Sequence, residues 1–480
     1  MNMNRRTFLT RSALAAAAIG FPASSWAKVK GANDTIRVAV IGFNGRGRDA
    51  VDNFSRKEMG TRVVALCDVD QKVLDREIEK FKNRGESVTP FQDIRKLLES
   101  KEIDVIAIAT PNHWHALGAI WGIQAGKDVY VEKPVSHNVW EGRKIVEAAR
   151  KYKRIVQTGT QCRSSYAIRE MVEWVRSGNL GKILVARGTC YKRRPSIGKV
   201  SSPQPIPEGI DYDLWCGPAP MKPLMREKLH YDWHWDFETG NGDLGNQGIH
   251  QMDIARWFLG KNALSPRVFS IGGRVGYEDD GNTPNTQLIF HDYKPAPLIF
   301  EVRGLPARAG AKEMDKFMNS AVGVLIHCEG GHVLVPNYTT AIAYDKSGQE
   351  IKRLQGADNH YENFIKAVRS RKSSDLNADI WEGHLSSALC HTGNISHRLG
   401  KTQSTEVIKE KIQGNAEASE TFARMLEHLE LNEVDLNKTP LTMGEFLRMD
   451  PRVEKFIGNR KADELLSREY RAPFVVPERV

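Results

Sequence analysis

The hexapeptide Gly42-Phe43-Asn44-Gly45-Arg46-Gly47 sits directly behind the β-branched run Ile36–Ile41 and ahead of a segment of helical character, and it constrains this chain more than any other feature. A strand that must turn through glycines straight into a helix belongs in a parallel α/β sheet, because glycine permits the sharp turn and close backbone approach that side chains forbid. Asn44 stands where a middle glycine is usual; asparagine tolerates a left-handed backbone better than most residues, and Gly45 lies beside it. Further apolar runs at 62–67, 104–109, 128–131 and 154–157 are separated by helical segments, which predicts alternating strands and helices and hence a parallel sheet.

The amides at the start of a helix that follows such a turn can meet a pyrophosphate. Asp68 closes the second run, at the spacing where a carboxylate accepts hydrogen bonds from an adenosine ribose. Together they read as a dinucleotide site that takes NAD. The Asp68 carboxylate repels the 2′-phosphate of NADP, which is the lesser alternative because Arg46 could offset that repulsion. Ligands of such sheets bind beyond the carboxyl ends of the strands. The expected cofactor crevice therefore gathers Gly42, Asn44, Gly45, Arg46, Gly47, Asp68, the Thr110-Pro111-Asn112 loop with His115, and Glu132-Lys133-Pro134, with Gln161 at the domain's end.

In the second half, residues 247–259 carry helical spacing of Met252, Ala255 and Phe258, with Asn246 as the expected cap. Asn246 and His250 stand four apart, so both can face one crevice, and a histidine is a suitable base near neutral pH. Asp253 is read as a structural partner for a neighbouring cation. Upstream, Tyr231, Trp233, Trp235 and Phe237 alternate with polar residues in a period of two. The pattern is either a buried strand edge or a platform of rings for a sugar, with Trp233 and Trp235 as substrate contacts. Arg163 and Arg193 are further substrate candidates, and His384 and His391 are either cleft residues or satisfied core histidines. Strands are expected at 182–191, 267–275, 285–290, 298–303 and 323–328, and helices at 359–371 and 379–399. The polar tail should hold helices at 417–431 and 443–446 and end extended over 473–480.

At the N-terminus, Arg5-Arg6-Thr7-Phe8-Leu9 precedes an apolar run at 13–21 and the small residues of Ser25-Trp26-Ala27. The run is shorter than the roughly 18 residues a membrane helix needs, and the order of features is that of a twin-arginine signal ending at residue 27. A periplasmic location without a membrane anchor is expected. The formal charge of +10 is interspersed with acids, and the short Lys192-Arg193-Arg194 cluster is too small for a nucleic-acid footprint. The six cysteines are scattered without metal-ligand spacing, so no metal site is expected. The domain reading is a signal at 1–27, a dinucleotide domain at 34–160, a substrate-binding domain at 161–400 and an extension at 401–480.

Three segments carry a resemblance to the Gfo/Idh/MocA oxidoreductases over about 36–400: the turn ending in Gly45-Arg46-Gly47, the tripeptide Glu132-Lys133-Pro134, and Gly248-Ile249-His250-Gln251-Met252-Asp253. The resemblance implies a Rossmann domain followed by an α/β domain with an open, mostly antiparallel mixed sheet that commonly mediates homo-oligomers. It implies catalytic roles for Lys133, which reaches nicotinamide ribose and substrate hydroxyl, and for His250, and a cis bond before Pro134. Asn246 stands where inositol dehydrogenase-like members have an aspartate; an amide can hold a hydroxyl but not relay a proton. The implied activity is NAD(H)-dependent hydride transfer at a hydroxyl of a sugar or sugar derivative, with tightly held cofactor because the periplasm lacks a nicotinamide pool. The alternatives are an NAD-dependent glycosidase working by transient oxidation and elimination, and a non-catalytic carbohydrate-binding protein.

Overall fold

The structure, a computed structural model, describes residues 35–480; the signal read at 1–27 lies outside the described residues. The first domain is built on six strands: β1 (Ile36–Ile41), β2 (Thr61–Cys67), β3 (Thr89–Phe91), β4 (Val105–Ile108), β5 (Asp128–Val131) and β6 (Val156–Thr158). They pair in parallel in the order β3-β2-β1-β4-β5-β6. This is the Rossmann order, whose reversal between β1 and β4 opens a crevice at the carboxyl ends. Helices cover both faces, so Val38 to Val40 and Val105 to Ile108 are almost wholly buried and read as continuous apolar runs. Strand β3 gave no signal: its three residues lie at the sheet edge, contain Pro90 and are largely exposed.

The second sheet runs β14-β13-β12-β11-β7-β10-β9-β8-β16-β15. Its members are β7 (Ile183–Tyr191), β8 (Arg267–Gly273), β9 (Thr286–His291), β10 (Leu298–Arg303), β11 (Val322–Cys328), β12 (Gly331–Asn337), β13 (Thr340–Asp345), β14 (Glu350–Gln355), β15 (Lys401–Thr402) and β16 (Thr442–Met443), with a short β17 (Leu447–Asp450) also on β8. Only β7 and β10 are parallel among its pairs, so the sheet is mixed and mostly antiparallel. Successive residues alternate between faces. Val268, Ile289, Phe300 and Ala186 meet the helices Tyr166–Arg176, Ile249–Leu259 and Ile380–Leu399. Phe269, Leu288, Ile299 and Val185 face the other way, onto Phe422, Met425 and Leu429 of the helix Ala416–Leu431.

The extension is therefore part of the fold and not a polar tail. Residues 443–446 are not helical: Met443 pairs with Ile271 in the sheet, and Gly444 passes so close to Ser396 that a Cβ there would lie 2.5 Å from its Oγ. The C-terminal Phe474, Val476 and Val480 return to the first domain, where Phe474 packs edge-on against Trp114 at 5.5 Å. Among the described residues, all six cysteines are buried and unpaired, and no helix is long and apolar enough to cross a membrane.

Candidate active site

The glycine turn works through steric exclusion at two of its residues. Gly42 has φ +75°, and a Cβ there would sit 2.8 Å from the Thr110 amide nitrogen. A Cβ on Gly47 would lie 1.9 Å from the Gly42 carbonyl, so the helix Gly47–Phe54 can start against the turn only from glycine. Gly45 has no atom within 4 Å of a Cβ position and leaves its backbone open to the crevice. Asn44 does not use the left-handed backbone expected of it; its side chain instead accepts a hydrogen bond from Arg76 at 3.1 Å.

A cavity of about 360 Å³ opens over this turn. Asp68 stands on its wall at the end of β2, held by the amides of Phe43 and Asp70, both at 3.1 Å. Burial pushes its carboxyl up to about 6, against those two hydrogen bonds. Glu132, at the end of β5, gathers Arg46 (3.2 Å), Gln161 (2.9 Å) and the Tyr130 hydroxyl (3.3 Å), and Arg46 also pairs with Asp49. His115 spans the carbonyls of Thr110 and Pro134 at 2.7 and 2.6 Å and so ties the loop after β4 to that after β5. Asn112 donates to Asn241 of the second domain. The Lys133-Pro134 bond is cis. Lys133 projects into the cavity and its Nζ donates to the Asn246 carbonyl at 2.7 Å, across the domain boundary; burial lowers its pKa.

The second domain supplies the rest of the wall. Asn246 lines the cavity from within a wide π turn, Leu244–Gly248, that leads into the helix Ile249–Leu259. It is not the cap expected from sequence: the chain is already helical at Asp243, and no side chain caps the start. His250 lies one turn further on, behind the cavity and not on its wall, buried 4.8 Å from the Tyr338 ring. Its Nδ1 has no hydrogen-bond partner among the described residues, and burial together with the Lys133 charge holds its pKa well below 6.5. The ring is neutral at pH 7, with a nitrogen able to accept a proton.

The aromatic stretch at 231–237 is not a strand. Tyr231 takes φ +65° and the chain then turns through a short 3₁₀ helix, Asp232–Trp235, which breaks the period of two. Trp233 and His234 line the cavity and stack on each other at 3.6 Å, whereas Trp235 is buried against the Arg194 guanidinium, away from the wall. Arg163 is also not a substrate contact: it is buried in a two-pronged ion pair with Asp253, both arms at 2.8 Å, and also meets Glu382. Asp253 thus serves as the partner of a cation. Arg193 is exposed, donates to the Ala311 carbonyl and lies off the cavity wall. His384 bonds Glu454 and His391 approaches Ser136, both away from this cavity. Gly47, Pro134 and Gln161 support wall residues without forming the wall themselves. Tyr231, a member of the expected ring platform, does line the cavity, whereas sequence reasoning missed Leu214 and Trp215 as wall residues and did not single out His234; His234 carried a signal, as a polar member of the alternating stretch, but Trp215 carried none.

Residues 36–160 match the oxidoreductase family's NAD-binding Rossmann fold, and residues 165–299 match its C-terminal alpha/beta domain. Inositol 2-dehydrogenase 3 of Saccharopolyspora erythraea is 32% identical over 388 residues, covering 75% of this chain and 95% of the relative. The chain belongs to the Gfo/Idh/MocA oxidoreductase family. Its first domain is the NAD-binding module of that family. Another relative of this Gfo/Idh/MocA chain, a glycosyl hydrolase family 109 protein of Shewanella pealeana, is 31% identical over 209 residues, which cover 38% of this chain and 45% of the relative. The fold matches the WlbA dehydrogenase of Bordetella pertussis, solved with NADH and UDP-GlcNAcA, at a TM-score of 0.55 and 19% identity over 74% of this chain and 94% of that one.

Proposed function

We propose that this protein moves a hydride between NAD and a hydroxyl-bearing carbon of a sugar or polyol, and that it retains its cofactor between turnovers. The observation that carries the reading is the junction at Lys133: an ammonium at the end of β5 reaches across the dinucleotide cleft to Asn246, one helical turn ahead of the neutral His250 that stands buried behind the cleft wall. The open backbone at Gly45 and the Asp68 carboxylate suit a pyrophosphate and an adenosine ribose. Asp68 also favours NAD over NADP, and Arg46 is engaged by Glu132 and Asp49 instead of being free for a phosphate. The nicotinamide, when bound, supplies the hydride acceptor or donor. Lys133 polarises the substrate oxygen and His250 takes the hydroxyl proton, with Asn246 and Trp233 orienting the ring.

Retention is supported by a strap from the second domain. Gly209 accepts from the Gln71 amide at 2.9 Å, Asp211 donates to the Val69 carbonyl at 3.2 Å, and His230 bonds Asp70 at 2.9 Å, all beside the Asp68 end of the cleft. His230→Ala should raise the NADH off-rate about three- to tenfold, the loss of one charge-assisted bond, in stopped-flow fluorescence; an unchanged rate contradicts the strap. Such retention suits the periplasmic location read from the N-terminal signal. Self-association through the second sheet would have to use its β11–β14 end, because the helix Ala416–Leu431 covers β8 to β10.

Asp68 also sets a pH dependence. Ribose hydroxyls donate to the carboxylate, so binding favours its ionised form and affinity rises with pH until the free carboxyl, at about 6, has lost its proton. NAD affinity of the stripped protein should fall by up to about tenfold per pH unit below 6 and level off above it. Asp68→Asn should bind weakly and lose this slope; a parallel profile in the variant contradicts the assignment.

A second reading, transient oxidation of a glycoside followed by elimination and return of the hydride, draws on the glycosyl hydrolase family 109 relative. Incubating the mature protein with free sugars and with aryl glycosides separates the readings: net nicotinamide reduction supports the first, aglycone release without net reduction the second. No response to either class leaves a binding role.

A further inference from the structure

His234 lines the dinucleotide cleft near enough to Lys133 to feel its charge, and the hydride-transfer scheme gives it no task. Its ring is held from several sides. The Trp233 ring stacks on it at 3.6 Å, and the Tyr231 ring stands 4.7 Å away. The turn that follows closes on Gly240, where a Cβ would lie 2.6 Å from the His234 Cα, and Thr239 donates its hydroxyl to the Trp233 carbonyl at 2.9 Å. A ring fixed in advance gives up little freedom when a ligand arrives, which is what a specificity contact requires.

The tautomer follows from the partners. His234 Nδ1 meets the Tyr231 carbonyl, which can only accept, so Nδ1 carries the proton and donates. Nε2 is then a bare acceptor. It has no hydrogen-bond partner among the described residues, and unlike His250 Nδ1 it is not shut off by the atoms around it. Burial holds the ring's pKa down at about 3, against the bond to Tyr231, and the Lys133 ammonium adds to the fall. At neutral pH the ring is uncharged and offers a lone pair to the cleft. Donors stand on the same wall: the Lys133 ammonium, which bonds the Asn246 carbonyl, and the Tyr231 hydroxyl, which accepts from Arg194 at 3.0 Å and is free to donate. Donors and an acceptor on one wall suit a sugar, whose hydroxyls both give and take hydrogen bonds.

We propose that His234 is a specificity-determining residue: its Nε2 accepts a hydrogen bond from a neutral hydroxyl of the substrate other than the one oxidised, and so selects the carbon that faces the nicotinamide. A carboxylate or phosphate oxygen has no hydrogen to give at this point and is opposed by the same lone pair. The inference rests on the carbohydrate hydride-transfer reading for the identity of the ligand.

The test titrates the purified protein, saturated with NADH, with D-glucose, myo-inositol and the monodeoxy analogues of each, followed by NADH fluorescence; single-turnover reduction of NAD by the same compounds runs alongside. In the parent, deoxygenation at one position other than the reacting carbon should weaken binding about tenfold, the loss of one hydrogen bond to a fixed acceptor. His234→Phe keeps a ring against Trp233 but has no acceptor. It should bind the full sugar about as weakly as the parent binds that deoxy analogue, lose nothing further on deoxygenation, and keep the parent's melting temperature and NADH affinity. His234→Gln, whose amide oxygen can stand in for Nε2, should restore part of the discrimination. The proposal is overturned by binding of no compound, by a parent that discriminates at no position, by a deoxy penalty that persists in His234→Phe, or by a fall in NADH affinity that accounts for the whole effect. Discrimination that depends on His234 without reduction of NAD by any compound would uphold the contact and contradict hydride transfer; reduction with the penalty unaltered in His234→Phe would do the reverse.

Discussion

Lys133→Met should lower kcat/KM for the sugar substrate on the order of 10³-fold, the scale of removing a positioned acid or electrophile from a buried site. The ammonium is lost while most of the buried apolar stem is kept, so the fold should survive. Among the described residues its ammonium bonds only the Asn246 carbonyl, a tie and not a core contact. NADH binding should change far less than turnover, because Asp68, the glycine turn and Glu132 remain. His250→Ala should also lose turnover, and its residual rate should no longer fall in the acid range where the parent's histidine takes up a proton. Single-turnover nicotinamide absorbance checks both variants; a Lys133→Met enzyme within tenfold of the parent contradicts the assigned role.

Asp253→Ala should be the most destabilising single change near the site. Asp253 is fully buried, receives two bonds from Arg163 at 2.8 Å and one from Ser386 at 2.6 Å, and lies 3.4 Å from Arg256. Removing it leaves two buried guanidinium groups with Glu382 as their shared carboxylate. Breaking a buried pair on one side costs about 3–5 kcal/mol. The helix Ile249–Leu259 carries both Asp253 and His250, so lost stability and lost activity should appear together. Thermal unfolding reads the first: a variant melting within about 2 °C of the parent contradicts the assignment. Asp253→Asn, which keeps the shape and part of the bonding, should fall between.

What the sequence made legible follows from where its signals were local. Strands β1, β4 and β5 are largely buried on both faces, and β1, β2 and β5 run into Gly42, Asp68 and Glu132, so runs such as Val38 to Ile41 stand out, and the glycine turn and Glu132-Lys133-Pro134 follow directly from them. Strand β14 alternates exposed and half-buried residues and carries Lys352 and Arg353, and its polar sequence hid it. In the aromatic stretch the ring spacing does not reflect the backbone: Tyr231 bends the chain where the alternation predicts extension. Arg163 misled for a different reason. Asp253 read correctly as the partner of a cation, but pairing residues 90 positions apart needs the packing of the helix Ile249–Leu259 against the segment after β6. The cavity wall at Leu214 and Trp215 likewise arises from a long excursion folding back over the cleft, a tertiary event with no local signature.

The central claim is that Lys133 and the neutral His250 serve hydride exchange between a retained nicotinamide and a carbohydrate hydroxyl. The most direct measurement is anaerobic absorbance of the dinucleotide carried by the purified protein, mixed in single turnover with polyols and free sugars, with His250→Ala alongside. The account predicts a stoichiometric dinucleotide whose reduction is driven by a sugar or polyol in the parent and lost in the variant. A protein that carries no dinucleotide, binds none when it is added, and responds to no sugar would contradict it.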